Sequence, residues 1–531
     1  MRTLVVGSGA SGIPLAVRLS EDPRREVVLL EAGETESAPP AELRDASTVE
    51  GAMPGHPANW SHLGHLTPDL PYSIARGRIL GGSSAINGSY FVRPRPTDCD
   101  FWAAAGGDDW SYPALLDTMR RIETDADYPD SPLHGSAGPM PISRPPQTNP
   151  AAVAFIAAAT ELGFGMEPDK NRPGPIGVGP VPSNIVAGER VSTARAYLGT
   201  SERSRIEILG RHHVLRVLIE DGRAIGVETT SGPVFGDEVV LAAGAIGTAH
   251  LLLASGVGPG AQLSALGIPV VADLPVGSAF TDHPDIPVGW RAKQAVFDPD
   301  ERFAFPTALN FSSEIGSAPE GDLEILLAVK PIGYLLTGSV HPLAAGLGAS
   351  LRHPIRTLSA LSAISRRRAT EQIRHRDDFQ LIVGLQAPVG TGTITLESPD
   401  PHVPPRIDYR YLQHPHDLTR ARLGVRTAVD LLESRAFSSV FASLSELSDA
   451  VLGDDDALNA WMLAHLGTAI HLCGTAPLGS VVDWEGRVHG VSGLRIADTS
   501  ILPRVPTRGP FASAIIVGER IAEFMRGADP R

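Results

Sequence analysis

The chain has 531 residues, 42% of them hydrophobic and 20% charged, which excludes a disordered or fibrous polymer and leaves length for two domains or one large interlocked unit. A formal net charge of −15 provides no basic face for neutralising phosphates, so nucleic acid is not an expected partner. Two cysteines, Cys99 and Cys473, are too few for a disulfide framework, and no Cys-x-x-Cys pair suggests zinc or an iron–sulfur cluster, so no metal site is expected.

Leu4-Val5-Val6 is a short apolar run suited to a central parallel strand, and it feeds into Gly7-Ser8-Gly9-Ala10-Ser11-Gly12. A helical pattern follows, with Ile13, Ala16, Val17 and Leu19 on one face, and then a second apolar strand, Val27-Val28-Leu29-Leu30, ends at Glu31. Gly7 permits the tight turn, Gly9 lets a pyrophosphate approach the backbone, and Gly12 lets the helix pack close to the strand. Amides around Ser8 and Ser11 at the helix start face phosphate charge, and Glu31 stands where a carboxylate accepts hydrogen bonds from an adenosine ribose. That carboxylate would repel a 2′-phosphate, which disfavours NADP; the fingerprint by itself does not separate NAD from FAD. The chain enters its first strand directly after Met1-Arg2-Thr3, with no room for a signal peptide, and no apolar run reaches the roughly 18 to 20 residues of a membrane span, so the expected location is the cytosol.

Next comes Arg76-Gly77-Arg78-Ile79-Leu80-Gly81-Gly82-Ser83-Ser84-Ala85-Ile86-Asn87, whose small residues let backbone come against a flat ring and a pyrophosphate, with Asn87 offering both donor and acceptor. Val239 to Ala243 is another buried strand, running into Gly244-Ala245-Ile246-Gly247-Thr248 as a second strand-to-helix junction. Leu323 to Val329 and Thr393 to Leu396 read as strands of a second domain. Between Arg352 and Arg376 there are seven arginines and one acid, Glu371; this reads either as a solvated helix or as a surface that docks on an anionic membrane or an acidic electron acceptor. Late in the chain, His471-Leu472-Cys473-Gly474-Thr475 precedes Arg495-Ile496-Ala497-Asp498-Thr499-Ser500, and Pro510 suits the first position of a helix continued by Ile515, Ile516, Glu519, Ile521 and Phe524.

The Arg76–Asn87 string, with the N-terminal fingerprint and the late His471–Thr475, resembles the glucose-methanol-choline (GMC) oxidoreductases, FAD enzymes that take a hydride from an alcohol carbon. The likeness extends through Ser192–Leu198, Gly244–Gly258, Gly277 with Asp282-His283-Pro284, Asp400-Pro401 and Tyr411-Leu412, from Leu4 to about Phe524. It implies an α/β fold in which a Rossmann-like FAD domain (1–147, 190–285 and 452–531) is interleaved with an α+β substrate domain (148–189 and 286–451) containing a large, mostly antiparallel sheet. It further implies FAD contacts at Ala32, Arg78, Leu80, Gly81, Gly82, Ser83, Asn87, Gly88, Val214, Ala243, Gly244, Asp498, Thr499, Pro510 and Phe511, besides the fingerprint residues. Where covalently flavinylated relatives carry histidine before the Asn, this chain has Ile86, so non-covalent FAD is expected.

His471 stands at the position of the family's catalytic histidine and is expected to take the hydroxyl proton while the hydride passes to flavin N5. A second histidine or asparagine usually follows about forty residues later; an ungapped count places Gly509 there, and Arg508 or a water is the candidate replacement. His283 is expected to be structural. Gly474-Thr475-Ala476-Pro477-Leu478-Gly479 and Gly509 suit a specialised branch resembling the mycofactocin-associated members, with reduced mycofactocin (mycofactocinol) as the alcohol substrate and a separate electron acceptor, the respiratory chain. The alternatives are a choline-like small-alcohol oxidase or dehydrogenase, a hydroxynitrile-lyase-type protein and a redox-inactive flavin binder.

Overall fold

Two sheets of opposite character organise the computed structural model, which describes residues 1–35, 39–203, 205–293, 296–339 and 374–527. The first is parallel, with strands in the order Ile206–Leu209, Glu26–Leu30, Arg2–Val6, Glu238–Leu241, Leu494–Ile496. Leu4, Val5, Val28, Leu29, Val239 and Val240 have no exposed surface, because a parallel sheet is covered on both faces and its strands are apolar throughout. Burying each such side chain contributes about 1.5–3 kcal/mol. The helices Gly12–Ser20 and Phe511–Gly527 pack against each other, and glycine at 518 makes this possible: a Cβ there would lie 2.2 Å from the Ser11 carbonyl oxygen. The chain leaves Arg2–Val6 toward one neighbour, Glu26–Leu30, and reaches the other, Glu238–Leu241, only much later. A reversal of strand order at such a point opens a crevice beyond the carboxyl ends of the strands.

The second sheet is mostly antiparallel and runs Phe441–Leu444, Pro284–Ala292, Phe379–Leu385, Leu323–Ala328, Thr307–Phe311, Val178–Pro180, with Gly467–Thr468 also paired to Pro284 and Asp285. Side chains alternate across it with period two. Ile286, Val383, Ile325 and Leu309 form one transverse row, buried against the helix Pro415–Glu433, whose Gly424 sits over Val383. The next row, on the opposite face, is Asp285, Gly384, Glu324 and Asn310. This polar row looks away from the covering helix.

Leu323–Ala328 is a strand of this sheet, as its sequence implied. Thr393–Thr395 is also a strand, but it belongs to a separate four-stranded sheet with Arg406–Asp408, His62–Thr67 and Leu70–Ile74; short strand patterns carry no information about which sheet they join. Most of the arginine-rich stretch, residues 352–373, lies outside the described residues.

Candidate active site

The glycine turn after Arg2–Val6 is built as its spacing implied. Gly7 has φ +105° and its missing side chain faces the Ala242 carbonyl, while a Cβ at Gly12 would fall 1.9 Å from the Gly7 carbonyl oxygen. Gly9 is different, because a Cβ there would meet nothing within 4 Å. The Gly81–Gly82 segment comes to rest on this turn: the Gly81 N–H donates to the Ser8 carbonyl at 2.9 Å, and a Cβ at Gly82 would approach the Gly9 Cα to 2.7 Å. Leu80 donates its N–H to the Glu34 carbonyl, and the Arg78 carbonyl packs on Gly33, beside Ala32. Arg211 and His212 donate to the Gly33 and Glu31 carbonyls, which brings Val214 to the same edge. On the other side of the central strand, Ala243 and Gly244 start the helix Gly244–Ala254, and Gly244 also faces open space.

Glu31 is buried and accepts from the Ser8 N–H, the Ser8 hydroxyl and the Gly33 N–H, so it braces the turn; burial pushes its carboxyl above the usual range. The Asp498 side chain is held within the protein. Its two oxygens already accept from the Gly244 N–H, the Thr248 hydroxyl, the Ser500 N–H and the Ser500 hydroxyl, so it is a junction between the second glycine turn and the end of Leu494–Ile496. Thr499 links to the catalytic segment, its hydroxyl donating to the Leu472 carbonyl and its carbonyl accepting from Gly474. The Ser83 hydroxyl accepts from the Gly77 N–H, and the Asn87 side-chain oxygen Oδ1 accepts from the Ser89 N–H, closing the turn that carries Gly88 against Phe305. Pro510 directly precedes Phe511–Gly527, whose first residue, Phe511, meets Phe91 edge-on at 5.6 Å. Ile86 is buried in a small apolar cluster with Leu43, Ala58, Ile79 and Ala85. The two open glycine positions, flanked by close backbone approaches, are a cradle that side chains would fill, and this fits an FAD lying across the carboxyl ends of the strands.

His471 lies on a segment that runs antiparallel to 281–283. Thr281 and Cys473 exchange both backbone hydrogen bonds, at 3.0 and 2.9 Å, so His283 falls opposite His471. The register then slips, with Pro284 and Asp285 paired to Thr468 and Gly467. Ile470 absorbs the slip at φ +63°, a costly conformation for a β-branched residue; Arg76 donates to its carbonyl at 2.7 Å, and its N–H donates to the Thr468 hydroxyl at 3.1 Å. One oxygen of the buried Asp282 accepts the backbone N–H of both His283, at 2.7 Å, and His471, at 2.6 Å. The side chains complete the arrangement, with Nδ1 of His283 2.9 Å from Nδ1 of His471 and Nε2 of His283 3.0 Å from the Pro506 carbonyl oxygen. Burial lowers the His471 ring well below its ordinary value, with His283 and Arg76 adding to the effect, and holds His283 at about 4.

Gly509 adjoins the outer edge of this pair, where a Cβ would lie 3.4 Å from Cε1 and 3.6 Å from Nε2 of His471. Arg508 points away. It is ion-paired to Glu167 at 2.8 Å and donates to Asn310, inside a buried network with Lys170, Glu324 and Tyr90. The adjacent Thr507 is held by Asp98, so the 506–509 turn is clamped from both sides. His283, Asp282, Asp98 and Arg76 are the members of this site to which sequence reasoning assigned no catalytic part, although the Asp282-His283-Pro284 and Arg76–Asn87 strings had drawn notice and His283 was expected to be structural.

Family models described as GMC oxidoreductase match residues 1–285 and 388–518. The chain belongs to the GMC oxidoreductases. An uncharacterised GMC-type oxidoreductase of Rhodococcus erythropolis is 35% identical over 542 residues, covering 99% of this chain and 98% of that protein. An oxygen-dependent choline dehydrogenase of Sinorhizobium fredii is 31% identical over 551 residues, covering 99% and 96%. Among solved structures, pyridoxine 4-oxidase from Mesorbium loti superposes with a TM-score of 0.85 at 25% identity over the whole of both chains. Formate oxidase of Aspergillus oryzae shares the fold, with a TM-score of 0.84 at 23% identity over 99% of this chain and 98% of that one. This GMC oxidoreductase is therefore an FAD-dependent oxidoreductase of the alcohol-oxidising kind.

Glu123, Asp125 and His134, whose ligand atoms lie within 4.8 Å of one another, form a second buried group of metal-ligand type. It is already neutralised. Arg93 pairs with Glu123, Arg144 with Asp125 and Asp169, and His134 meets carboxylates at both ring nitrogens, so three cations balance three carboxylates when His134 is protonated.

Proposed function

We propose that this enzyme oxidises an alcohol to a carbonyl compound with His471 as the base, and that a separate acceptor removes the electrons. The observation that carries the reading is a neutral, half-buried histidine whose Nε2 edge faces the space left by Gly509. The Gly7–Gly12 turn, the Arg78–Ser83 segment and the Ala243–Gly244 turn would hold FAD non-covalently, and FAD bound there would supply the hydride acceptor. Nε2 of His471 takes the hydroxyl proton as the carbon hydride leaves, which a neutral imidazole does without first losing a proton of its own. Asp282 and Arg76 hold the backbone of His471 so that the ring is placed before substrate arrives.

Two donors follow from different observations. Mycofactocinol follows from the specialised Gly474–Gly479 segment, with electrons passed to a respiratory acceptor and membrane contact through Arg352–Arg376. A cationic amino alcohol follows from Asp285, which shares a strand face with His283 at a spacing of about 7 Å along the chain and keeps accessible surface deep in the molecule. Burial, Asp282 and Glu324 push its carboxyl well above the usual range, so a bound cation would ionise it. Anaerobic bleaching of the flavin band with mycofactocinol, choline and neutral alcohols tests the reading: bleaching that His471→Ala abolishes while FAD stays bound supports it, and oxidised flavin with every donor but normal reduction by dithionite rejects alcohol oxidation by this panel. Sedimentation with anionic vesicles, lost on neutralising Arg366, Arg367 and Arg368, tests the membrane contact.

A further inference from the structure

The contact between His283 and His471 joins two nitrogens that each act as donor or acceptor, so it holds one hydrogen and its direction must be decided elsewhere. The decision lies on the far side of His283. The Pro506 carbonyl can only accept, so Nε2 of His283 carries the hydrogen. A neutral imidazole has one N–H, which makes Nδ1 of His283 an acceptor. The hydrogen in the shared contact therefore belongs to Nδ1 of His471, and the lone pair of His471 is on Nε2.

We propose that His283 is a positioning residue that fixes His471 as the Nδ1–H tautomer, leaving the Nε2 lone pair facing the space beside Gly509. The inference rests on His471 as the base. In the opposite tautomer Nε2 would already carry hydrogen and could take no proton. With the relay in place, the alcohol proton forms a new N–H bond at Nε2, the breaking C–H bond sends its electron pair to FAD as hydride, and the Nδ1–H···Nδ1 bond persists in the resulting imidazolium. No second proton has to move.

Three features keep the relay from turning over. His283 is buried and His471 half-buried, and burial lowers both rings so that they stay neutral. The shared Asp282 oxygen fixes both backbones. The turn bearing the Pro506 carbonyl is pinned by the Val505 N–H to the Thr281 hydroxyl at 2.7 Å, by Thr507 to Asp98, and by Arg508 to Glu167.

The test compares His283→Gln with His283→Leu in the FAD-loaded enzyme. A glutamine amide can accept from Nδ1–H and donate to the Pro506 carbonyl; leucine can do neither. Flavin reduction is expected to stay within about tenfold of the parent in His283→Gln and to fall about 100-fold or more in His283→Leu, in kcat rather than KM and with FAD content unchanged, because general-base contributions run to about 10²–10⁴-fold. Nitrogen-15 histidine spectra, with His471 assigned by its loss in His471→Ala, provide a readout apart from turnover. Protonated Nδ1 and bare Nε2 on His471 are expected in the parent and His283→Gln. A bare Nδ1 in the parent overturns the proposal even where His283→Leu fails to fold, as do equal rates in the two variants. Full flavin reduction in His471→Ala would instead overturn the assignment of the base.

Discussion

His134 meets a carboxylate at each ring nitrogen, with Asp169 2.9 Å from Nε2 and Glu123 3.0 Å from Nδ1, whereas His471 meets only another histidine, at 2.9 Å. Both lie in the interior, where burial favours the neutral ring. Around His134 the three carboxylates outweigh that penalty and raise the ring to about 10, so it is a permanent cation within a network. Around His471 the effects of His283 and Arg76 add to that of burial, and the ring is pushed well below its ordinary value. Partners, more than depth, decide whether a buried histidine is a structural ion or a base.

The contrast breaks most visibly at His471. His471→Ala is expected to lower the rate of flavin reduction about 10³-fold with FAD retained, measured by anaerobic stopped flow. His134→Ala should leave the rate constant of the folded enzyme near that of the parent and act on stability instead. Removing the central cation of a buried network is expected to cost about 3–5 kcal/mol, read from denaturant unfolding. Gly82→Ala probes the cradle: at φ +52°, with Gly9 at 2.7 Å, the added carbon must displace backbone, and FAD affinity measured by flavin release should fall by about tenfold or more.

Acidity sharpens the same comparison in opposite directions. The raised value of His134 means that its stabilisation is complete below about pH 6.5, the unfolded value, and disappears as pH rises through about 10. The melting-temperature gap between the parent and His134→Gln should therefore narrow from pH 7 to pH 10.5. The lowered values of His471 and His283 mean that both stay neutral below pH 6.5, and the acid limb of kcat/KM is expected below that point. The smallest effect belongs to Gly509→Ala. Its Cβ would sit 3.6 Å from Nε2 of His471, in the space that edge faces, so it crowds the alcohol without removing a hydrogen-bonding group, and KM should rise about fivefold with FAD content unchanged.

Glycines at fixed offsets after an apolar strand are a local rule, and every one from Gly7 to Gly12 is where that rule placed it. The count to Gly509 rested instead on the family resemblance, and its backbone does lie beside His471. Arg508 went otherwise. The attraction of a cation to Glu167, 341 residues away, is a consequence of distant chain segments meeting, as is the reach of Gly244 and Thr248 to Asp498.

What the sequence determined by itself was the cofactor turn and the strands that flank it, because each depends on residue types at short, fixed spacings, while the candidacy of His471 and the glycine at 509 came from the resemblance to the family. What only the tertiary structure decided was the partner of that base. His283 lies 188 residues away, and it reaches His471 through an antiparallel bridge at Thr281 and Cys473, a register slip at Ile470 and a carbonyl at Pro506. Hydrogen-bond direction depends on where every neighbouring donor and acceptor finally sits, and that arrangement exists only after the chain has folded.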